Sequence, residues 1–412
     1  MRQHFVVLFA LIICFGMQAF PQTTEYTKRS KNEVREGPGS YYQLLKVLPK
    51  GVAIPVVKRD GGWVNFKHVA STGPTSAWMS KNCLVEGKQV DLLRDLKLEW
   101  QSPKASPSVV AAAIRGFALR YGKTNSTVLD SLLDLQTDLF TPDEYSEFEK
   151  EFGHDGGAGK KKSDPELMKL LGEYETTNAS EGMCLGIASR LASQGLVTDK
   201  NLVKYVNLIA AALASATPTY DVPFRVYIIK GEEPRAYSIP GGFIVLGEGL
   251  IRSCADEAEL AAVIAHEMTH ITANHGFREQ YERRYRVRME EAFDELDEEL
   301  GQKADSAETD LEEMIQEAYD EVVKPRLQEY EEEADRGGAM LLAALGYDTM
   351  ALSNIIVRTG VAVKNRAAEW TENPFLHLDF QKRNTELLKF LQAHPDYGGG
   401  FRNGERFRRM VQ

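Results

Sequence analysis

Between Tyr26 and Val85 the chain alternates short β-rich apolar runs with turn residues. Val34 to Gly39 reads as a turn, Leu44 to Leu48 as a strand and Pro49 to Gly51 as a second turn. Ile54 to Lys58 is a strand, Asp60 to Gly62 a hairpin signal, and Trp63 to Phe66 a strand with alternating faces. This spacing predicts a small all-β barrel over 24–87. From Lys88 to Phe152 the period turns helical, through Leu92, Leu93 and Leu96, then Val109 to Tyr121 and Val128 to Leu139, with Thr141 to Glu144 as a capping-type helix start. Gly153 to Ser163 is polar and glycine-rich, so 153–165 reads as a linker. Its Gly-Gly-x-Gly-Lys fragment follows no strand and is no phosphate loop. The remainder, 166–395 with a tail at 396–412, is expected to be one mainly helical domain.

In that domain Glu257 to Asn274 has the apolar spacing of a buried helix, carried by Leu260, Val263, Ile264 and Ile271, and it contains His266, Glu267 and His270 as an H-E-x-x-H run. At ~100° per residue the two histidines lie about 40° apart on one face, one turn from each other, so both imidazoles reach a single ion. Glu267 points about 60° to one side of His270 on the same geometry, beside a metal rather than on it, where it can take a proton from an activated water. A buried helix carries two histidines and a glutamate only if something satisfies them.

The third ligand follows from helical geometry. A distal histidine would need Gly at 273 and His at 276, where the chain has Ala273 and Gly276. His275 lies about 140° round from His270 if the helix continues, and reads as a helix-end or packing residue. Downstream, the apolar stripe Leu327, Ala334, Gly338, Leu341, Leu342 and Leu345 leaves only Glu331 of the run Glu331, Glu332 and Glu333 facing inward. Gly337 and Gly338 signal close approach of another backbone. Asp335, one turn beyond Glu331, is placed to accept the spare imidazole N–H of a ligand histidine.

Composition narrows the class. The 412 residues are 43% hydrophobic and 26% charged, enough for more than one packed domain, and the net charge of −11 gives no basic face for nucleic acid. Of that charge, 278–330 supplies −10, with 18 acidic and 8 basic residues. It reads as an acidic helical insertion, a solvated hairpin or lid, and no window in it suits a membrane. The apolar run Phe5 to Phe20 after Arg2 reads as a signal peptide, 1–19, cleaved near Ala19, and implies export to a bacterial periplasm or extracellular space with no transmembrane span afterwards. Ile13 before Cys14 argues against lipidation. Cys83, Cys184 and Cys254 are then left as free thiols, too few and too widely spaced for a disulfide framework.

Taken together, His266-Glu-x-x-His270, Glu331-x-x-Ala334-Asp335, Asp256 to Ala262 and the segment Arg235 to Gly242 resemble the zinc metallopeptidase family of the CAAX prenyl protease, HtpX and BepA, over about half the chain. The resemblance implies one Zn²⁺ per chain held by His266, His270 and Glu331, with Glu267 as general base. It implies a substrate-binding edge strand at Ala236, Tyr237, Pro240, Gly241 and Gly242, with Arg235 replacing the usual Asn. It also implies that His377 binds the oxyanion or caps the zinc, supported by Arg383, although Leu378 stands where the family has proline. Val34 to Gly39, Gly61 to Trp63 and Ala77 to Met79 resemble bacterial SH3-like domains, which bind cell-wall or protein ligands; a structural spacer is the other reading. The expected fold is therefore multidomain: an SH3-like barrel followed by a mainly α, α+β gluzincin-type metallopeptidase domain with a small sheet. The expected function is hydrolysis of peptide bonds in unfolded or misassembled proteins. Two rivals stand beside it, a chaperone-like binding protein with a latent zinc site and a peptidoglycan hydrolase.

Overall fold

The computed structural model of the chain describes residues 23–29, 31–70, 73–86, 131–132, 135, 139–151, 165–171, 178–193, 195–275, 316–320, 322–324, 326–371 and 373–411. The expected signal peptide, the helical segment as far as 130, the linker core Gly153 to Ser163 and the acidic insertion from 278 to 315 lie outside these residues.

Alternating inward side chains build the N-terminal module from seven strands: β1 (Thr24–Thr27), β2 (Asn32–Arg35), β3 (Leu44–Leu48), β4 (Ala53–Asp60), β5 (Trp63–Ala70), β6 (Gly73–Ser80) and β7 (Leu84–Glu86). Val34, Ile54, Val56, Val64, Phe66, Ala77 and Met79 close a core of their own. The strand order is β3-β2-β6-β5-β4-β1-β7, and among the described residues β3 and β7 do not pair, so the sheet is open and the expected closed barrel is not found. Instead, the loop between β2 and β3 turns outward, and Tyr41 lies against Tyr145 of helix α1 (Pro142–Glu151) with ring centroids 4.3 Å apart. Thr141 and Glu144 cap that helix reciprocally, Glu144 N donating to Thr141 Oγ1 at 3.2 Å and Thr141 N to Glu144 Oε2 at 2.7 Å.

The module docks on the loop that follows Thr217. Arg29 donates to Asp221 Oδ2 at 2.5 Å, Asn82 Nδ2 to Asp221 Oδ1 at 3.0 Å, and Tyr220 Oη to Gly62 O at 2.6 Å. Trp63 meets Tyr220 edge-on at 5.7 Å. A Cβ on Gly62 would stand 2.4 Å from the Tyr220 ring, so glycine there is required by the docking itself. The Gly-Gly-Trp motif is thus spent on an internal contact.

The rest is helical around a three-stranded sheet. In chain order come α2 (Pro165–Leu171), α3 (Asn178–Ala192), α4 (Lys200–Ser215), β8 (Arg225–Ile229), β9 (Ala236–Ile239), β10 (Phe243–Gly247), α5 (Glu248–Ser253), α6 (Glu257–Thr272), α7 (Gln328–Leu345), α8 (Met350–Asn365), α9 (Phe380–Ala393) and α10 (Gly404–Val411). β10 pairs parallel with β8 and antiparallel with β9, which leaves β9 at the edge of the order β8-β10-β9. Pro240, Gly241 and Gly242 make the β9–β10 turn, with φ of +89° and +90° at the two glycines, a region that an L side chain enters only with strain.

Helix α6 runs through the centre, with all 16 of its residues buried and Asp256 accepting from Glu259 N at its N-terminus. Helix α7 packs across it. A Cβ at Gly337 would stand 2.4 Å from Thr269 Cγ2, and one at Gly338 would stand 3.2 Å from His266 N, so the glycine pair is what lets the two helices touch. The predicted stripe of α7 is buried through Ala334, Gly338, Leu341 and Leu342, but Leu327 is its exposed N-cap.

Candidate metal centre and peptide cleft

Two helices bring three donors together. His266 and His270 project from one face of α6, with their Nε2 atoms 3.0 Å apart and the rings edge-on at 80°. Glu331, in the first turn of α7, approaches both: Oε2 is 3.4 Å from His266 Nε2 and Oε1 is 3.3 Å from His270 Nε2. Tetrahedral zinc with bonds of ~2.0–2.1 Å holds its donors ~3.3 Å apart. The cluster therefore suits one small divalent ion, and all three side chains are buried.

Arg383 of α9 supports the carboxylates from behind. Its Nη1 lies 2.9 Å from Glu331 Oε2, while Nε and Nη2 grip Asp335 at 2.9 and 2.7 Å in a two-pronged pair. Asp335 Oδ1 in turn approaches His266 Nδ1 to 2.9 Å, off the line of the N–H bond. Arg383 thus acts on Glu331 and Asp335, not on His377 as the resemblance implied. Burial alone would raise the Glu331 carboxyl, but Arg383 and the two histidines outweigh it and hold the group well below the usual range. Asp335 is lowered by the same guanidinium against the same opposition. One guanidinium faces more than one buried carboxylate, so the pocket favours a further cation.

Replacing Arg383 with Met should strip the compensation from two acids that are 4% and 1% exposed. Breaking a buried charge cluster of this kind costs about 3–5 kcal/mol. Chelator-treated Arg383→Met is expected to unfold at a clearly lower urea concentration than the wild type, and equal midpoints would contradict the role given to this side chain.

Glu267 stands beside the three donors. It is buried, and burial raises its pKa, with His266 and Arg326 pulling the other way. A cleft opens over it. One wall is edge strand β9, through Ala236 and Tyr237; another is apolar, with Leu250, Val263, Leu352, Ile355 and Phe375. Pro240, Gly241 and Gly242 shape the turn after β9 and do not line the cleft. Arg326 adds a cation, its Nη2 donating to Ser238 Oγ at 2.7 Å and Ser238 O at 3.1 Å. No pattern in the sequence marked Arg326, because it reaches β9 from the far end of the acidic segment.

His377 is not brought to the cluster. It ends the 3₁₀ turn Pro374–His377, whose start is capped by Asn373 accepting from Phe375 N at 2.9 Å. That turn sends Phe375 and Leu378 into the cleft and leaves His377 exposed. His275, by contrast, arrives where an ideal helix would not put it. Helix α6 stops at Thr272, and Asn274 takes a left-handed φ of +56° that folds His275 back over His270. An Asn two residues past the last helical position was the sequence signal for this reversal.

Residues 198–399, which hold β9, α6, α7 and Arg383, match the family described as peptidase family M48. This segment is an M48 peptidase domain. Among similar proteins, the beta-barrel assembly-enhancing protease of Yersinia pestis is 31% identical over 103 residues, covering 24% of this chain and 21% of that protein. Its Escherichia coli K12 counterpart is 35% identical over 83 residues, 20% of this chain and 17% of that protein. The mitochondrial metalloendopeptidase OMA1 of Schizosaccharomyces pombe is 32% identical over 71 residues, 17% of this chain and 21% of that protein. The chain spans about a fifth of the length of each of these relatives. In the M48 domain no described helix is long and apolar enough to cross a membrane.

Proposed function

We propose that this chain is an exported zinc-dependent endopeptidase that hydrolyses peptide bonds of unfolded or misassembled proteins, those of the cell envelope included. The observation that carries the reading is the spacing of His266, His270 and Glu331 at the separation a tetrahedral zinc requires, with Glu267 buried beside them and an edge strand alongside. Bound there, Zn²⁺ supplies Lewis acidity and lowers the pKa of a water. Glu267 would take the proton of an attacking water and return it to the leaving amine. Strand β9, at the edge of its sheet, holds the substrate as an added strand, so binding uses backbone groups that any extended chain offers. Asp335 and Arg383 keep Glu331 and His266 oriented.

The relatives named as assembly-enhancing proteases support a substrate among misassembled proteins. The chaperone-like rival needs His377 as a fourth ligand, and the exposure of that residue weighs against it. We read the N-terminal module as SH3-like and acting as a docked spacer, since Gly62 and Trp63 are engaged by Tyr220. The test is removal and return of metal. The purified full chain should hold about one zinc and cleave unfolded casein; chelation should stop cleavage and added zinc restore it. Fully zinc-loaded protein that leaves casein intact would overturn the proposal.

A further inference from the structure

A histidine that binds metal through Nε2 must carry its proton on Nδ1, and that N–H needs an acceptor inside the protein. His266 Nδ1 has the Asp335 carboxylate 2.9 Å away, off the line of its N–H bond. His270 Nδ1 faces a different group: His275 Nδ1, also at 2.9 Å and within hydrogen-bonding geometry. His275 N donates to His270 O at 3.0 Å, so backbone and side chain of one residue both hold the other. The His275 ring lies flat on Tyr330, with centroids 4.7 Å apart and planes 9° from parallel, and both rings sit beside the first turn of α7. Its Nε2 is buried, has no hydrogen-bond partner among the described residues, and lies 3.7 Å from Glu333 Oε2.

We propose that His275 is a positioning residue for the metal, accepting the Nδ1–H of His270 and thereby setting the tautomer and ring angle that present His270 Nε2 to the ion. The inference rests on the metal-site reading above and assigns the two ligand histidines unlike supports: an anionic one clamped by Arg383, and a neutral one clamped by stacking. With His275 Nδ1 as acceptor, its own proton resides on Nε2, on the side of Glu333. Tyr330 of α7, the helix that also supplies Glu331, stacks on His275, which in turn meets the His270 ring edge-on at 77°. One helix therefore fixes the third ligand directly and the second ligand through His275. An outer partner of this kind is worth ~10–100-fold in metal affinity.

The test compares zinc affinity, by competition with a chromophoric chelator at one pH, in wild type, His275→Phe and His275→Asn full-length chains. Phe keeps the stack on Tyr330 but cannot accept a hydrogen bond; Asn loses the stack but sets its Oδ1 about where Nδ1 stood. The expected result is weakening by ~10–100-fold in His275→Phe and recovery of most of that loss in His275→Asn, with the unfolding temperature of the metal-free Phe variant close to wild type. Wild-type affinity in His275→Phe would overturn the inference. So would an Asn variant no better than Phe, since the residue would then be only packing. Wild type that binds no zinc would instead remove the metal-site reading on which the inference stands.

Discussion

Glu267→Gln is expected to keep its zinc and its fold while losing cleavage of unfolded casein by at least ~10²-fold, the lower end of what a positioned general base supplies. The two side chains have the same shape, and the site is buried, so the packing of α6 is unchanged. Only the ability to take a proton is lost. Burial already raises the carboxyl of Glu267, which makes it a better proton acceptor than an exposed glutamate once ionised. The supports of the cluster, Asp335 and Arg383 for Glu331 and His266, and His275 for His270, are left in place by the change. Zinc content measured beside activity separates the two functions. A variant retaining more than about a hundredth of wild-type turnover would remove Glu267 from the role of base.

Glu331→Ala should abolish zinc binding at concentrations that saturate the wild type, a loss beyond the ~10–100-fold expected from removing an outer partner. Glu332→Ala should bind as the wild type does. The two residues are neighbours in sequence with opposite environments. Glu331 is 4% exposed and faces His266, His270 and Arg383, whereas Glu332 is half-buried and pairs with Lys382 Nζ at 2.7 Å. The Ala variant of Glu331 also leaves Arg383 with Asp335 alone, so residual zinc binding would have to come from the two histidines. If Glu331→Ala remains fully loaded, the ion lies elsewhere and the His-His-Glu cluster is not its site.

Much of the centre was legible because it depends on spacing along single helices. A period of about 3.6 residues puts His266 and His270 on one face and turns Glu267 aside, whatever the helix packs against. The same period separates Glu331 from Glu332 and Glu333 on α7, and the Gly337–Gly338 pair signals the close crossing that brings α7 onto α6. The edge strand β9 was implied only by the family resemblance; Gly241 and Gly242, both at left-handed φ, form the turn that follows it.

What the tertiary structure alone decided concerns contacts between elements distant in the chain. Arg383 was expected behind His377 but grips Asp335, 48 residues away, because α9 packs on α7. His377 was expected at the site, yet a proline three residues earlier starts a 3₁₀ turn that leaves it exposed. His275 was set aside by extending an ideal helix past its true end; the left-handed Asn274 reversed the chain and put its ring on His270. The N-terminal sheet stays open because closing it requires a ladder between β3 and β7, which the local pattern of each strand does not specify. Local periodicity determines which side chains share a face, since the backbone geometry within one element is nearly invariant. The partner that face meets depends on how the elements pack, and no spacing within one helix or strand encodes that.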